Sequence, residues 1–315
     1  MKKCSFAFAL LIVFITVTVV IAPAQTIPLW TQIGDGMGAE CFTVRQDGEL
    51  LIHAGRTIFL LHSGEVQPDT LSSLLDNAFF RFNKTALNPR GELFAAMDRG
   101  LWKSQDHGKN WVVIDSSRRM QDIAVNDNGY IYLPGGNGLF SVSRDNGESW
   151  FSVGMVATSS PDVTHLSMHG NIMVVGATDG LYYSDDNGET FQRDMYKDDV
   201  FHHEFTWIYD LERHPAGFVF VGIRDIEGPW NIDLSGTWRS DIVGRHYTRL
   251  TALQNGYSFA TDSLYNSYAF SFNEHPLENG VFRSTDSGRT WKFFNEGRAS
   301  WANTVHDMIT TPDGY

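Results

Sequence analysis

From about residue 40 to residue 297 the chain alternates short apolar runs with clusters of turn-forming residues. The stretch "QDIAVNDNGYIYLPGGNGLFSVSRDNGESWFSV" (121–153) is typical. Its apolar runs are rich in Ile, Val, Tyr and Phe, and Gly, Asn and Asp punctuate them, which is the rhythm of short strands joined by tight turns. No segment holds a 3.6-residue period for three turns, so every predicted element is a strand and the fold class is all-β.

One phrase recurs within this rhythm. "SQDHGKNW" begins at Ser104, "SRDNGESW" at Ser143, "SDDNGETF" at Ser184 and "STDSGRTW" at Ser284. The skeleton is Ser-x-Asp-x-Gly-x-x-aromatic. Ahead of each copy stands "GLW", "GLF", "GLY" or "GVF", starting at Gly100, Gly138, Gly180 and Gly280. Further upstream come two apolar runs, and a fourth run ("WVVI", "WFSV", "TFQRD", "WKFF") closes each unit. Each unit therefore predicts four strands.

The first three copies are 39 and 41 residues apart, and the fourth follows after 100. A worn copy, "GTWRSDIVGRHY", fills that gap. It keeps Gly236, Ser240, Gly244 and Tyr247 in register but puts Ile242 in place of the Asp. "ECFTVRQDGELLIHAGRTIFLLHSG" near the start has the same rhythm with the phrase lost at Ser63. Six units are countable, and four-stranded units of ~40–45 residues predict the blades of a β-propeller.

The phrase resembles the Asp-box, or bacterial neuraminidase repeat. The chain is thereby similar to the Asp-box β-propeller superfamily, whose members include sialidases, xyloglucanases, the sortilin receptor domain and photosystem II assembly factors. The resemblance covers most of the chain and implies the fold; since the superfamily holds enzymes and non-enzymes, it does not imply an activity. Ser104, Asp106, Gly108 and Trp111 make up the first structural set. Ser143, Asp145, Gly147 and Trp150 make the second, Ser184, Asp186, Gly188 and Phe191 the third, and Ser284, Asp286, Gly288 and Trp291 the fourth. The carboxylates suit backbone N–H groups of a turn, the glycines a positive φ, and the aromatics burial between blades. The alternative reading makes these Asp residues ligands for carbohydrate or Ca²⁺; in the resembling families the turns lie away from the ligand face.

A propeller has to close, because its end blades otherwise expose sheet edges. "HDMITTPDGY" (306–315) matches "QDIAVNDNGY" (121–130) and reads as the first strand of a seventh blade. "LWTQIGDG" (29–36) reads as a fourth strand without predecessors. The expectation is a seven-bladed ring, truncated in its last blade, in which Trp30 to Ile33 pairs beside Val305 to Thr310. The alternative is a complete protein with an open final blade.

Residues 1–24 are expected to be a secretory signal peptide, leaving 25–315 as one Asp-box propeller domain. Lys2 and Lys3 precede an apolar run from Phe6 to Ile21, and Ala22 and Ala24 provide small residues for cleavage. An uncleaved anchor is the alternative. The expected location is secreted or periplasmic, with no membrane span after cleavage. The whole chain carries a formal charge of −13, and residues 25–315 hold 22 basic and 37 acidic side chains. That balance repels phosphate backbones and argues against nucleic acid as a partner. Cys41 is the one cysteine outside the signal, which excludes an internal disulfide and a Cys-based zinc site. A monomer without cofactor or metal is expected.

Candidate chemistry lies where the repeat breaks. "DDVFHHEFTW" (198–207) precedes the fifth blade, "RDIEGPWNIDLSG" (224–236) interrupts it, and "NEHPLENG" (273–280) interrupts the sixth. They bring His202, His203, Glu204, Trp207, Arg224, Asp225, Glu227, Trp230 and His275 forward as ligand-binding candidates. Aromatics beside carboxylates and imidazoles suit a sugar or a peptide; the alternative is ordinary polar loops over the channel mouth. "HEFTW" has Trp207 where a zincin helix needs its second His, although His202, His203 and His214 leave a metal group open. No Gly-x-Ser-x-Gly elbow is present. Sialidases carry an Arg-Ile-Pro segment, and here Thr26-Ile27-Pro28 lacks the Arg; Arg45, Arg224 and Arg239 have no context that marks a carboxylate-gripping triad. No catalytic residue can be carried over. The expected function is non-catalytic binding of a protein or glycan, with a glycoside hydrolase of sialidase or xyloglucanase type as the alternative.

Overall fold

The computed structural model describes residues 11–14, 41–45, 47–54, 57–62, 65, 67–73, 82–135, 139–154, 163–177, 180–193, 206–225, 236–242, 245–253, 256–262, 264–271, 279–294 and 305–309. They form six antiparallel four-stranded sheets, each a simple meander in sequence order, and one two-stranded sheet. The six sheets span residues 41–73, 82–115, 124–154, 163–193, 206–249 and 256–293, and are called the first to sixth blades. The six counted units are thus six four-stranded blades. The expectation of seven is not met among the described residues: Val305–Ile309 is a single strand of the chain's C-terminal part, and its sheet holds only two strands. That strand does lie against the innermost strands of both the sixth and the first blade, Gly256–Thr261 and Cys41–Val44. Its partner is Leu11–Phe14, in the register Leu11↔Ile309 to Phe14↔Val305. Residues 30–33, expected in that place, lie outside the described residues.

Sheet faces in this chain are apolar on both sides, so the core is divided among the gaps between blades. Cys41, Leu51 and Ile58 of the first blade pack with Phe82, Leu93 and Met97 of the second. Four more such clusters follow in turn to the sixth blade. Each gap receives the aromatic of the later blade's Asp-box: Trp111, Trp150, Phe191 and Trp291. In the gap between the fourth and fifth blades Tyr247 takes that place, as the worn repeat predicts.

The four turns share one set of bonds. Ser Oγ accepts the Gly N–H four residues on at 2.8 Å in every copy and donates to the Asp carboxylate at 2.7–2.9 Å. The same carboxylate oxygen accepts the backbone N–H of Asn110, Ser149, Thr190 or Thr290 at 2.8–2.9 Å. The other oxygen takes that residue's side chain, as in Thr290 Oγ1 to Asp286 Oδ2 at 2.6 Å. Hydrogen bonds to Ser149 and to Thr290 hold Asp145 and Asp286 down at about 2. The glycine is fixed twice over: Gly288 has φ +75°, and a Cβ there would come within 2.4 Å of the Phe220 ring.

The residue before that glycine was not singled out by sequence, yet it connects the blades. His107, Asn146, Asn187 and Ser287 all adopt φ near +60°. This turns their carbonyls and side chains toward the preceding blade. Asn146 accepts from Asn88 at 2.8 Å and donates to Glu92 at 2.6 Å. The Asn187 carbonyl accepts Tyr132 Oη at 2.7 Å, and the Ser287 carbonyl accepts Arg239 Nε at 2.7 Å.

The fifth blade drops this device. Its third strand runs on through Ile242 and pairs with Arg245, so residues 243 and 244 alone join strands that elsewhere are separated by the whole turn. Ser240 Oγ, freed from a turn, accepts the Val219 N–H at 2.8 Å.

Two buried imidazoles add a pH dependence. His53 is buried, with Nε2 3.2 Å from Thr43 Oγ1 and its ring 4.6 Å from that of Phe82. Burial pushes it down to about 3. His214 does in its turn what Asn88 and Asn126 do in theirs: Nδ1 accepts the Ala216 N–H at 3.0 Å, while Nε2 donates to the Tyr265 carbonyl at 3.2 Å. Burial lowers its pKa too.

Two outcomes are expected from this fold. Burial holds both imidazoles below the ~6.5 at which they titrate when unfolded, so as pH falls through that value the unfolded chain binds more protons. Stability should therefore fall as pH drops from ~6.5, by up to ~1.4 kcal/mol per pH unit for each histidine. Urea titrations between pH 7.5 and 4.5 measure this slope, and His214→Asn should keep the turn while removing that residue's share. Second, Ser143→Ala should cost about 1–3 kcal/mol, because Ser143 is buried and the Gly147 N–H loses its acceptor. A melting temperature unchanged by that substitution would contradict the account of the turn.

Candidate functional site

The blade geometry fixes where the irregular segments emerge. In the fifth blade the innermost strand is Thr206–Arg213, the second Val219–Asp225 and the third Gly236–Ile242. Thr206 pairs with Asp225, Trp207 with Arg224, and Ile223 with Gly236. The chain arriving at Thr206, leaving Asp225 and returning at Gly236 thus meets at one end of the blade. In the sixth blade Ser271 pairs with Gly280 at the corresponding end, where residues 272–279 connect the second and third strands. The other end of the sixth blade's third strand leads to its Asp-box turn and that of the fifth blade's to the worn copy of it, so both insertions belong to the opposite end of the blades.

Of the nine ligand candidates, Trp207, Arg224 and Asp225 lie on these strands. His202, His203, Glu204, Glu227, Trp230 and His275 lie outside the described residues. The fifth blade also has the longest strands, of eight, seven and seven residues, which extend its hairpin at this end. His214 stands at the other end of the same blade, bound into its turn as described, and is not grouped with Trp207. Among the described residues no set of three or more His, Cys, Asp or Glu is placed to hold a metal. Arg45 is committed to Asp47 at 2.7 Å and Glu49 at 2.8 Å, and Arg239 to the Ser287 carbonyl.

Sequence reasoning missed the charged groups of the central channel. A cavity of about 440 Å³ runs between the innermost strands. Lys84, Asp122, His165 and Asp210 line it, and each stands immediately before a residue that faces a blade gap. Asp122 accepts the N–H of Ile123 at 2.7 Å and, across the gap, that of Leu166 at 2.8 Å. Lys84 Nζ lies 3.4 Å from Oδ1, the oxygen that accepts the Ile123 N–H. Asp210 accepts Leu211 and, in the next blade, Phe259, both at 2.8 Å. Burial raises its pKa against the pull of Lys84 and His165. Both carboxylates thus clamp neighbouring strands. The signal for them was an Asp before an apolar residue in the same place of two units, "DI" at 122 and "DL" at 210.

Comparison with known proteins bears on this geometry. The family model described as BNR/Asp-box repeat matches residues 182–193, the third phrase and its flanking strand ends. No curated protein matches the chain. Among solved structures, the GH74 enzyme of Niastella koreensis is similar with a TM-score of 0.63 and 18% identity, over 87% of this chain and 40% of that one. YCF48 from Cyanidioschyzon merolae has a TM-score of 0.60 and 11% identity, over 89% and 96%. A structure described as YCF48 bound to D1 peptide has a TM-score of 0.56 and 14% identity, over 78% and 77%. The chain spans about two fifths of the length of the first GH74 structures it matches. At these identities the similarity concerns the fold. The meander sheets and the structural likenesses make the chain a β-propeller, and its repeated turn is similar to the BNR/Asp-box repeat, matched at residues 182–193.

Proposed function

We propose that the chain is a non-catalytic propeller that binds a protein or glycan through the irregular segments of its fifth and sixth blades. The observation that carries this reading is the fifth blade, which abandons the repeat at both ends. It has lost its Asp-box turn, and at the other end its lengthened hairpin carries the Trp207–Arg224 pair between two long insertions. Aromatic, guanidinium and carboxylate groups together suit stacking and hydrogen bonding to a sugar or a peptide. The similarity to a peptide-bound YCF48 extends over most of both chains, whereas two of the GH74 structures are matched over about two fifths of their length and a third over 68%. The formal charge of −13 favours a partner that is not itself acidic. A glycoside hydrolase is the second reading, favoured by the GH74 likeness at a TM-score of 0.63.

Two further parts of the reading concern the ring and its location. Val305–Ile309 is taken as the innermost strand of a seventh blade, since it touches the innermost strands on either side. Residues 1–24 are taken as a signal removed on export to the periplasm or beyond. Its removal would take Leu11–Phe14 away from Val305–Ile309, and residues 30–33 would then pair in its place. The exported protein is taken to be monomeric.

A glycan array, and a screen for turnover of sialosides and xyloglucan, test the central claim. Binding without turnover is expected, and the double change Trp207→Ala with Arg224→Ala should weaken it at least tenfold. Turnover that the same double change abolishes would replace this reading with the hydrolase.

A further inference from the structure

The second, third and fifth blades each present the same receptor to the Asp-box of the blade that follows. A second-strand aromatic, six residues after the turn residue, packs on the box glycine: Phe94 on Gly147, Tyr132 on Gly188 and Phe220 on Gly288. A donor then reaches the carbonyl of the left-handed residue before that glycine. Lys103 Nζ is 3.4 Å from the Asn146 carbonyl, Tyr132 Oη 2.7 Å from that of Asn187, and Arg239 Nε 2.7 Å from that of Ser287.

The sixth blade repeats this construction. Tyr268 follows its turn residue Asp262 by six positions, as Phe220 follows His214. Arg283 immediately precedes Ser284, as Lys103 precedes Ser104 and Arg239 precedes Ser240. The Arg283 guanidinium is held by the rings of Tyr268 and Phe294, at 5.7 and 5.6 Å. Its Nε is nevertheless buried and without a hydrogen-bond partner among the described residues. A buried donor on a charged group is normally bonded, because leaving it unmade forfeits its hydration. The four Asp-box turns of the described blades do not fill this place, since they belong to the second, third, fourth and sixth blades themselves.

We infer that the sixth blade is a preformed socket for a further Asp-box turn, carried by the sheet that Val305–Ile309 begins. In that seat the carbonyl of the turn's left-handed residue accepts from Arg283 Nε, and its glycine packs against Tyr268. The chemistry is specific. The left-handed backbone of that position favours glycine in every seat, and the aromatic adds to it where it is closest: a Cβ would come within 2.4 Å of Phe220 at Gly288 and 3.0 Å of Tyr132 at Gly188. The inference is independent of any ligand-binding role for the fifth blade.

The test compares two arginines in one chain. Arg239→Met removes a bond that is made and should lower the melting temperature by about 2–4 °C. Arg283→Met removes no hydrogen bond, only the two ring contacts, and should lower the melting temperature of the 315-residue chain by less than Arg239→Met does. The sequence of residues 131–154, which holds the last three strands of the third blade with their Asp-box, is then appended after Tyr315. The appended chain should melt higher, and in it Arg283→Met should now cost roughly 2–4 °C. Valine in the appended copy of Gly147 should abolish the gain. An Arg283→Met cost that is the same with and without the appended segment overturns the socket. So does an appended segment whose amides exchange as fast as those of the free peptide.

Discussion

The ring depends on a contact that neither blade could make alone: the left-handed residue of each Asp-box turn seated on the blade before it. A four-stranded meander with two apolar faces cannot be stable by itself, so each blade needs neighbours on both sides. Apolar packing supplies the attraction but little direction, since it is proportional to area and indifferent to orientation. Direction comes from the turn. The Ser–Asp bonds hold its backbone in one shape, and that shape sends the Asn146, Asn187 and Ser287 carbonyls across the gap to named donors. The channel carboxylates repeat the principle near the axis, where Asp122 and Asp210 each hold an N–H of the next blade. Every gap bridged by both is fixed at its inner and outer radius.

This arrangement explains which parts of the structure could be read from sequence. The four intact phrases were legible because their bonds close within four residues, so the chemistry appears as a contiguous string. The worn fifth copy was legible through Tyr247, which keeps its place between blades without the turn. The partners to which the phrase is bonded were not legible. Asn146 meets Asn88 and Glu92, and Ser287 meets Arg239, across 48 to 58 residues of chain, and no short-range pattern records such partners. A strand at Val305–Ile309 was legible from its match to residues 121–130, but its pairing with Leu11–Phe14 was not, because that apolar, β-branched stretch reads equally as a signal core; residues 30–33, expected beside it, lie outside the described residues. Of the candidate site, the blade ends of Trp207, Arg224 and Asp225 could be located, because insertions announce themselves against a regular period.

The fifth blade shows the consequence of giving up a turn. Among its described residues it offers the fourth blade no left-handed carbonyl, and Tyr183, which stands where Lys103 and Arg239 stand, donates to Gln192 in its own blade at 2.6 Å. That gap is held by apolar packing and by the Arg213 N–H on Ser167 Oγ at 2.8 Å. The loss coincides with the longest strands of the ring and the longest insertions at the opposite end. A blade relieved of one repeated constraint is free to extend in the other direction.

The same reasoning separates scaffold from site. A carboxylate that appears in four blades with the same partners does the same work in each, and a ligand has no need of four copies arranged around a ring. Asp122 and Asp210 line a cavity and would invite a catalytic reading, yet each commits its oxygens to two backbone N–H groups, one of them in the next blade. Carboxylates so committed hold strands together; they are not poised to donate or accept a proton from a substrate. Groups left uncommitted by the repeat are therefore the ones on which the proposed binding function rests, where the fifth and sixth blades depart from it.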